Sequence, residues 1–447
     1  MIQADETRTI APAQRLRGEL HLPGDKSVSH RALMLALLAE GESRITAAGD
    51  GADIRSTAGI LVALGATVQR VREDGRTVDY LVASPGIDGL RQPDEVLDCG
   101  NSGTSLRLFS GILAGQAMSA TLDGDASLRG RPVARIIEPL RLMGATLYGR
   151  NGDTLPPVTV AGRNPLHPID YRTAVPSAQV KSAILLAALR ADGRTTVREA
   201  VATRDHTERM LRARGISIER TVEADGSVAI GLDGGTQVRA IDERVPGDVS
   251  AAAFWLVAGA IHPDAALRIH DVGVNPTRRS VIDLLRSMGA RIDERATTQA
   301  IDDGVGEPLA TLTVRSSELT AVDLSPADVA GAIDEIPILC LAATQARGRT
   351  RMRGAGELRH KESNRLAGIE AGLRAFGADI HIDGDDIIIT GPTPLAGAPT
   401  DSLGDHRLAM TFAIAGLISG GSSSVARPGS AAISYPGFFS ELERMRA

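Results

Sequence analysis

Short amphipathic helix patterns recur along the chain, and each is followed by a glycine and a short alternating run. Leucines and other apolar residues stand at helical spacing before Gly-Ala or a similar pair. Glycine just past a helix end readily adopts the left-handed conformation of a C-cap. A period of 71 to 88 residues predicts one supersecondary unit used several times. The glycines are Gly65, Gly144, Gly215, Gly289 and Gly377, with a sixth helix end expected at 442–447.

A second helix pattern lies in each unit and begins at a residue that favours helix caps. These predicted helices span 27–39, 101–114, 177–189, 248–260, 334–344 and 405–417. Alternating runs such as 311–314 and 387–390 predict strands between the helices. The pattern therefore predicts an α/β protein with two helices and about four strands per unit. Six such units divide naturally into two domains of three, although no low-complexity linker marks the boundary.

Composition predicts a globular protein of a reducing compartment. The 447 residues are 43% hydrophobic and 23% charged, an ordinary soluble balance. Cys99 and Cys340 are far apart in the chain, which excludes a disulfide framework, and no Cys/His cluster has zinc-binding spacing. The longest strongly apolar run, 251–261, is too short to span a bilayer, and no signal peptide is evident. We expect no metal, no membrane segment and a cytoplasmic location.

The charged residues argue against nucleic acid and single out three lysines. The net charge is −6 and aromatic residues are 2%, so neither a dominant basic patch nor a base-stacking platform is expected. Of the 49 basic residues, 46 are arginine, and only Lys26, Lys181 and Lys361 are lysine. A GC-rich genome explains the bias. A site that requires a compact ammonium cannot change to a planar guanidinium. Each remaining lysine is therefore either a functional candidate or a residue that has persisted without a functional reason.

Several cations stand at or near the beginning of predicted helices. They are Lys26, Arg31, Arg131, Lys361, Arg365 and Arg407. Backbone N–H groups at a helix start, with hydroxyls and cations beside them, bind anions. Their convergence predicts a small substrate with phosphate and carboxylate groups. Lys361 and Arg365 are four residues apart and are expected on one face of a first helical turn, where cations oppose the helix dipole.

Two further segments supply candidate chemistry. The glycine- and hydroxyl-rich segment 99–107 opens a helix, but its spacing matches neither a dinucleotide loop nor a nucleophile elbow. Asp334 and Glu335 precede an apolar run and are candidates for proton transfer. Simpler explanations exist for all of these motifs: serine caps, a tight turn, surface arginines and acids favoured by a helix dipole.

Seven motifs, taken in order, resemble the 5-enolpyruvylshikimate-3-phosphate synthase family over residues 15–440. They are P-G-D-K-S-x-S-H-R at 23–31, G-N-S-G-T-x-x-R at 100–107, R-P at 131–132, S-A-Q-V-K-S at 177–182, T-R-D-H-T-E at 203–208, K-E-S-N-R-L at 361–366 and D-H-R-x-A-M at 405–410. Two of these, S-A-Q-V-K-S and T-R-D-H-T-E, are similar to the class II branch.

The resemblance implies a two-domain inside-out α/β barrel, the enolpyruvyl transferase fold, with three βαβαββ repeats per domain. Residues 1–24 plus 246–447 would form a discontinuous domain and 25–245 an inserted domain, with the active site in the interdomain cleft. The implied reaction transfers the enolpyruvyl group of phosphoenolpyruvate to the 5-hydroxyl of shikimate 3-phosphate, through a tetrahedral intermediate that loses phosphate. No metal or organic cofactor is implied. A monomer is expected, with glyphosate as an inhibitor.

The resemblance also assigns roles residue by residue. The implied ligands of shikimate 3-phosphate are Lys26, Ser27, Arg31, Ser177, Ala178, Gln179, Arg204, Asp334 and Lys361. The implied ligands of phosphoenolpyruvate are Lys26, Gly103, Arg131, Gln179, Arg365 and Arg407. Asp334 would accept the proton of the 5-hydroxyl, and Glu362 would take part in proton transfer at the methylene. Lys26 and Lys361 complete the catalytic set.

Three positions deserve comparison with the family pattern. Asn364 replaces an aspartate of many members, which puts one supporting salt bridge in question. Ile433 stands where some members, though not the class II branch, place a lysine on phosphoenolpyruvate. Gly103 leaves the phosphoenolpyruvate site wide, and we expect sensitivity to glyphosate from it.

Two other functions stay open. One is enolpyruvyl transfer to UDP-N-acetylglucosamine, whose enzymes share the fold but carry a Lys-Asn pair and a mobile-loop cysteine. Here the pair is Lys26-Ser27, and neither Cys99 nor Cys340 fits that loop. The other is a non-catalytic protein that binds anions, against which the presence of Asp334 and Glu362 argues.

Overall fold

Strands and helices alternate along residues 6–297 and 304–446, which the computed structural model describes. The strands are β1 (Thr7–Ile10), β2 (Leu16–His21), β3 (Glu40–Gly49), β4 (Thr67–Glu73), β5 (Thr77–Pro85), β6 (Leu97–Asp98), β7 (Ser119–Asp123), β8 (Thr146–Gly149), β9 (Leu155–Ala161), β10 (Asp170–Arg172), β11 (Arg194–Glu199), β12 (Ile218–Val222), β13 (Val228–Asp233), β14 (Glu243–Arg244), β15 (Ala265–Gly273), β16 (Arg291–Ala296), β17 (Leu309–Arg315), β18 (Asp323–Leu324), β19 (Gly348–Met352), β20 (Asp379–Asp383), β21 (Asp386–Gly391), β22 (Pro399–Asp401) and β23 (Ser423–Ala426).

The helices are α1 (Lys26–Leu38), α2 (Ala52–Ala63), α3 (Gly103–Ala114), α4 (Ala134–Leu142), the single turn α5 (Arg150–Asp153), α6 (Ala178–Ala188), α7 (His206–Ala213), α8 (Val249–Ile261), α9 (Ser280–Ser287), α10 (Pro326–Gly331), α11 (Ile336–Thr344), α12 (Arg365–Ala375), α13 (His406–Ile418) and α14 (Phe438–Met445). Short 3₁₀ turns occur at Leu128–Gly130, Gly356–His360 and Pro428–Ile433.

One sheet pattern is repeated through the described chain. Five four-stranded sheets each contain one parallel pair followed by two antiparallel pairs. Their strand orders are β14-β3-β5-β4, β6-β7-β9-β8, β10-β11-β13-β12, β2-β15-β17-β16 and β18-β19-β21-β20. The sixth sheet keeps the parallel pair β22-β23 and adds β1. The recurrence confirms the repeat that the sequence predicts.

The described residues form two compact units, each with its own hydrophobic core. The first unit comprises residues 6–23, 246–297 and 308–446, and the second comprises 24–245 and 304–307. Three helices are buried nearly all round in each unit: α1, α3 and α6 in the second, and α8, α11 and α13 in the first. Their apolar residues cover most of the helix surface, as in helices that lie inside a core.

These six buried helices correspond to the second helix that the sequence predicts in each repeat, the one that begins at a residue favouring helix caps. Each predicted helix is confirmed, with ends that agree within two residues. The glycine caps are confirmed as well, because Gly65, Gly144, Gly215, Gly289 and Gly377 have φ of +105°, +95°, +86°, +96° and +91°. The expected sixth helix end corresponds to α14. Helix periodicity and C-caps are local properties, which is why the sequence predicts them well.

Candidate active site

The N-termini of α1, α3 and α6 bring most predicted ligands of the second unit to the same part of that unit. Asp25 caps α1 by accepting from the Val28 N–H at 2.9 Å. Ser27 therefore lies inside the first turn, and its reading as a simple cap is wrong. Ser177 does cap α6, where its hydroxyl accepts from the Val180 N–H at 3.4 Å.

Arg31 connects three helices of the second unit. Its Nε donates to Thr207 Oγ1 at 2.8 Å, and its Nη2 donates to Ser182 Oγ at 2.9 Å. A third bond runs from Nη1 to the Ser27 carbonyl at 3.0 Å. Burial lowers the pKa of Arg31 to about 10, against an opposing effect of the Glu208 charge, so the guanidinium stays charged at neutral pH. A buried cation with a fixed orientation suits a phosphate ligand.

Arg107 joins α3 to α6 beside two predicted ligands, Gly103 and Gln179. Its Nη1 donates to Gln179 Oε1 at 2.8 Å, and its Nη2 donates to the Pro132 carbonyl at 3.1 Å. Gln179 Nε2 in turn donates to Thr104 Oγ1 at 3.1 Å. Arg107 lies in a quoted motif, but the sequence analysis did not select it. Only its position between two helices, 72 residues from Gln179 in the chain, shows its importance.

Arg131 and Lys26 are less deeply buried. Arg131 follows a 3₁₀ turn and donates to the Asn101 carbonyl at 3.2 Å and to Ser127 Oγ at 3.3 Å. The Lys26 ammonium forms an ion pair with Asp53, and its side chain is about half exposed. Arg204 lies two residues before the start of α7 and is partly exposed.

In the first unit, Arg365 is surrounded by carboxylates. Its Nε donates to Asp405 Oδ2 at 2.8 Å, and its Nη2 pairs with Glu362 at 2.5 Å. Burial lowers the pKa of Arg365, but the charges of Glu362 and Asp405 outweigh it and raise the pKa overall. Burial likewise raises the pKa of Asp405, but Arg365 reverses the effect, so the pKa of Asp405 is lowered overall.

Asp334 lies beside two cations. Its Oδ1 is 3.7 Å from Lys361 Nζ and 3.7 Å from Arg365 Nη1. Asp334, Lys361 and Arg365 are thus brought together from two separate segments. Glu362 adjoins these three residues, because it accepts a hydrogen bond from Arg365 Nη2. A carboxylate next to an ammonium and a guanidinium can accept a proton from a bound hydroxyl while the cations hold an anionic group nearby.

The helix placement of Lys361 differs from expectation. Helix α12 begins at Arg365, and Asn364 caps it by accepting from the Ala367 N–H at 3.2 Å. Lys361 follows a 3₁₀ turn instead, so the prediction that it shares the first helical turn with Arg365 is wrong. Asn364 has a clear role as a cap, which an aspartate would also fill.

Arg407 and Glu335 form an ion pair in the first unit. Arg407 Nη1 is 3.6 Å from Glu335 Oε1, and the Ser250 hydroxyl also donates to Glu335. Arg278 Nη2 donates to Ser250 Oγ at 2.8 Å. The sequence analysis did not select Ser250 or Arg278, and no local signal marks them. Ile433 ends a 3₁₀ turn and is 51% exposed.

The described residues contain neither a metal-binding cluster nor a membrane-spanning helix. Within the described ranges, no group of three or more His, Cys, Asp or Glu side chains is arranged to hold a metal ion. In the same part of the chain, no helix is long and apolar enough to cross a membrane.

Comparison with known proteins gives consistent matches over nearly the whole chain. A family model described as EPSP synthase (3-phosphoshikimate 1-carboxyvinyltransferase) matches residues 10–442. The 3-phosphoshikimate 1-carboxyvinyltransferase of Gloeobacter violaceus is 48% identical over 439 residues, which cover 98% of each chain. That of Roseiflexus sp. (strain RS-1) is 47% identical over 438 residues, again 98% of each. A solved structure of EPSP synthase from Acinetobacter baumannii has a TM-score of 0.89 and 39% identity, and the match covers 98% of both chains.

Proposed function

This chain belongs to the EPSP synthase family, and we propose that the cations and carboxylates described above bind and convert its two substrates. The fold is the two-domain enolpyruvyl transferase fold. The reaction is transfer of the enolpyruvyl group of phosphoenolpyruvate to the 5-hydroxyl of shikimate 3-phosphate, with release of phosphate. The relatives do not favour transfer to UDP-N-acetylglucosamine.

Shikimate 3-phosphate is proposed to bind at the helix starts of the second unit. Lys26, Ser27 and Arg31 come from α1, and Ser177, Ala178 and Gln179 come from the start of α6. Arg204 from the segment before α7, and Asp334 and Lys361 of the first unit, complete the proposed set. The buried, charged Arg31 supports this assignment, because its bonds to Thr207 and Ser182 hold the guanidinium in one orientation.

Phosphoenolpyruvate is proposed to bind Lys26, Gly103, Arg131, Gln179, Arg365 and Arg407. A carboxylate and a phosphate on one small molecule require several cations, and guanidinium groups bind both with paired hydrogen bonds. The absence of a side chain at Gly103 leaves room beside Arg131, which supports the proposal that glyphosate competes at this position. Monomeric state and cytoplasmic location stay predictions.

The proton transfers are assigned to the carboxylates of the first unit. Asp334 accepts the proton of the 5-hydroxyl as that oxygen bonds to C2 of phosphoenolpyruvate, and C3 gains a proton from Glu362 to become a methyl group. In the second half, the C2–O bond to phosphate breaks and C3 loses a proton, in which Glu362 takes part. Lys26 and Lys361 stabilise the phosphate as it leaves. The observation that carries the proposal is the 3.7 Å distance from Asp334 to both Lys361 and Arg365.

Phosphate release from phosphoenolpyruvate, measured with and without shikimate 3-phosphate in metal-free buffer, tests the proposal. We expect release only when shikimate 3-phosphate is present. UDP-N-acetylglucosamine serves as the control acceptor and should be inert. Absence of release together with intact binding of shikimate 3-phosphate would support an anion-binding protein instead.

A further inference from the structure

Lys181 is the one of the three lysines to which the proposed reaction assigns no role. It lies in α6, two residues after Gln179, and its side chain is only 1% exposed. Its Nζ is 2.8 Å from Glu199 Oε2, 2.8 Å from Glu208 Oε1 and 3.3 Å from the Thr203 carbonyl oxygen. An ammonium has three N–H donors, and each finds an acceptor here.

The geometry explains why a lysine persists in a chain that otherwise prefers arginine. A guanidinium is planar and carries five donors in a fixed fork, which three acceptors around a point charge cannot satisfy. Burial lowers the pKa of Lys181, but the charges of Glu208 and Glu199 outweigh burial and raise it overall. The ammonium is therefore charged at neutral pH.

The contacts of Lys181 continue to the segment that carries Arg204. Glu199 accepts from the Thr203 hydroxyl, and also from the Thr203 N–H at 3.3 Å. Thr203 is thus held at its N–H, its hydroxyl and its carbonyl. Because Arg204 is the next residue, the direction in which its side chain leaves the backbone depends on this cluster.

A second branch leads to Arg31. Glu208, the other partner of Lys181, follows Thr207 in α7, and Thr207 accepts from Arg31 Nε at 2.8 Å. Ser182, the neighbour of Lys181 in α6, hydrogen-bonds to both Arg31 and Thr207 at 2.9 and 2.7 Å. The same buried cluster therefore adjoins both guanidinium groups.

We propose that Lys181, through Glu199 and Glu208, is a positioning residue that holds Arg204 and Arg31 in the orientation that binds shikimate 3-phosphate. The inference rests on the proposed function, which assigns these arginines to that substrate. A purely stabilising role is the alternative. Removing two or more charges from water offsets much of the gain from a buried ion pair, so stability alone is a weak reason for such a cluster.

The test is calorimetric titration of shikimate 3-phosphate into the full chain, with steady-state kinetics of the same variants. Lys181→Met should weaken binding of shikimate 3-phosphate by roughly ten- to hundredfold, because small displacements of a ligand-binding group have effects of that size. The kcat at saturating substrate should fall much less, since a lost ground-state contact raises KM rather than lowering kcat.

Arg190→Met is the control for a purely structural role. Arg190 follows the C-terminal end of α6, whereas Gln179 and Lys181 lie near its start, and it forms an ion pair with Asp88 at 2.6 Å. It should lower the melting temperature without changing affinity for shikimate 3-phosphate. Unchanged affinity in Lys181→Met, or an equal loss of affinity in both variants, would overturn the proposal.

Thr203→Val tests the same contacts without removing a charge, and it is decisive if Lys181→Met does not fold. It removes the hydroxyl that Glu199 accepts from and should weaken binding in the same direction. Unchanged affinity in this variant would overturn the proposal.

Arg204→Met separates the inference from the proposed function on which it rests. If Arg204→Met leaves affinity unchanged, the assignment of Arg204 as a ligand fails. If it weakens binding and Lys181→Met does not, only the positioning role fails. Where both variants weaken binding, the double variant Lys181→Met/Arg204→Met should lose less affinity than the sum of the two single losses. Effects of residues that act together are not additive.

Discussion

Arg365 donates from Nε to Asp405 Oδ2 at 2.8 Å, and both side chains are at most 1% exposed. Asp405 also caps α13 by accepting from the Arg407 N–H at 2.8 Å. One carboxylate therefore fixes the start of the helix that carries Arg407 and the direction of Arg365. Two proposed ligands of phosphoenolpyruvate depend on this contact.

The ion pair between Arg365 and Asp405 makes the free energy of unfolding depend on pH. Folding lowers the pKa of Asp405. The ionised carboxylate therefore stabilises the folded protein at pH values above its unfolded pKa of about 3.9, and this stabilisation is lost as pH falls through the folded pKa. At neutral pH, Asp405→Asn should cost about 3 kcal/mol of unfolding free energy, because it leaves Arg365 without a buried counter-charge. The difference from the unsubstituted chain should shrink below about pH 4.

Denaturant unfolding from pH 7 down to pH 3 measures this difference. Glu318→Gln is the control, since Glu318 is 90% exposed and pairs with Arg347 at 3.4 Å on the surface. A surface pair contributes about 1 kcal/mol at most. A difference for Asp405→Asn that stays constant over the whole pH range would contradict the prediction.

Gly103→Ala should narrow the proposed phosphoenolpyruvate site. The added Cβ would lie 2.6 Å from Arg107 Nη1 and 3.5 Å from Arg131 Nη1. The end of the Arg107 side chain must therefore move. We expect KM for phosphoenolpyruvate to rise by about tenfold and inhibition by glyphosate to weaken. Gly130→Ala is the control, because a Cβ there has no atom within 4 Å. Equal effects of the two alanines on both constants would argue against the assignment.

Asp334→Asn should remove the proton acceptor while keeping the shape of the side chain. General acid–base catalysis contributes about 10²- to 10⁴-fold, so kcat should fall by that range. Affinity for shikimate 3-phosphate should fall much less than kcat, because the asparagine amide oxygen can still accept a hydrogen bond from the 5-hydroxyl. Glu357→Gln, which removes the other carboxylate partner of Lys361 at 2.8 Å, is the control and should stay active. Full turnover by Asp334→Asn would exclude Asp334 as the base.

Asn364→Ala should destabilise the protein by about 1 kcal/mol, because it removes the cap of α12. Asn364→Asp should restore stability, since aspartate caps equally well and its charge favours a helix N-terminus. Thermal unfolding of the three proteins measures the order. An aspartate variant less stable than the alanine variant would show that the cap does not account for Asn364.

Gly377→Ala should cost about 1–2 kcal/mol through backbone conformation alone. Gly377 has a φ of +91°, and an added Cβ would meet no atom within 4 Å. Gly59 lies inside α2, and its Cβ position is also open. Gly59→Ala should be neutral or stabilise by up to about 1 kcal/mol, since alanine favours a helix. Similar unfolding midpoints for the two variants would contradict the prediction.

The sequence alone determined the repeat, the positions of the six helices that form the second pattern of each unit, and the glycine caps. These features depend on residues within one or two helical turns, so their pattern is visible without the fold. The motifs also identified the family and the residues proposed as ligands. The prediction that Lys361 and Arg365 share the first helical turn is wrong, because Lys361 follows a 3₁₀ turn and Asn364 caps the helix that begins at Arg365.

Only the tertiary structure decided which side chains meet. Arg107 and Gln179 are 72 residues apart, and Ser250 and Glu335 are 85 apart, yet each pair shares a hydrogen bond. The burial of Lys181 among two glutamates and a carbonyl is equally invisible in a linear pattern. Such contacts depend on how separate helices pack, because hydrogen bonds require positions within a few tenths of an ångström that no local pattern determines.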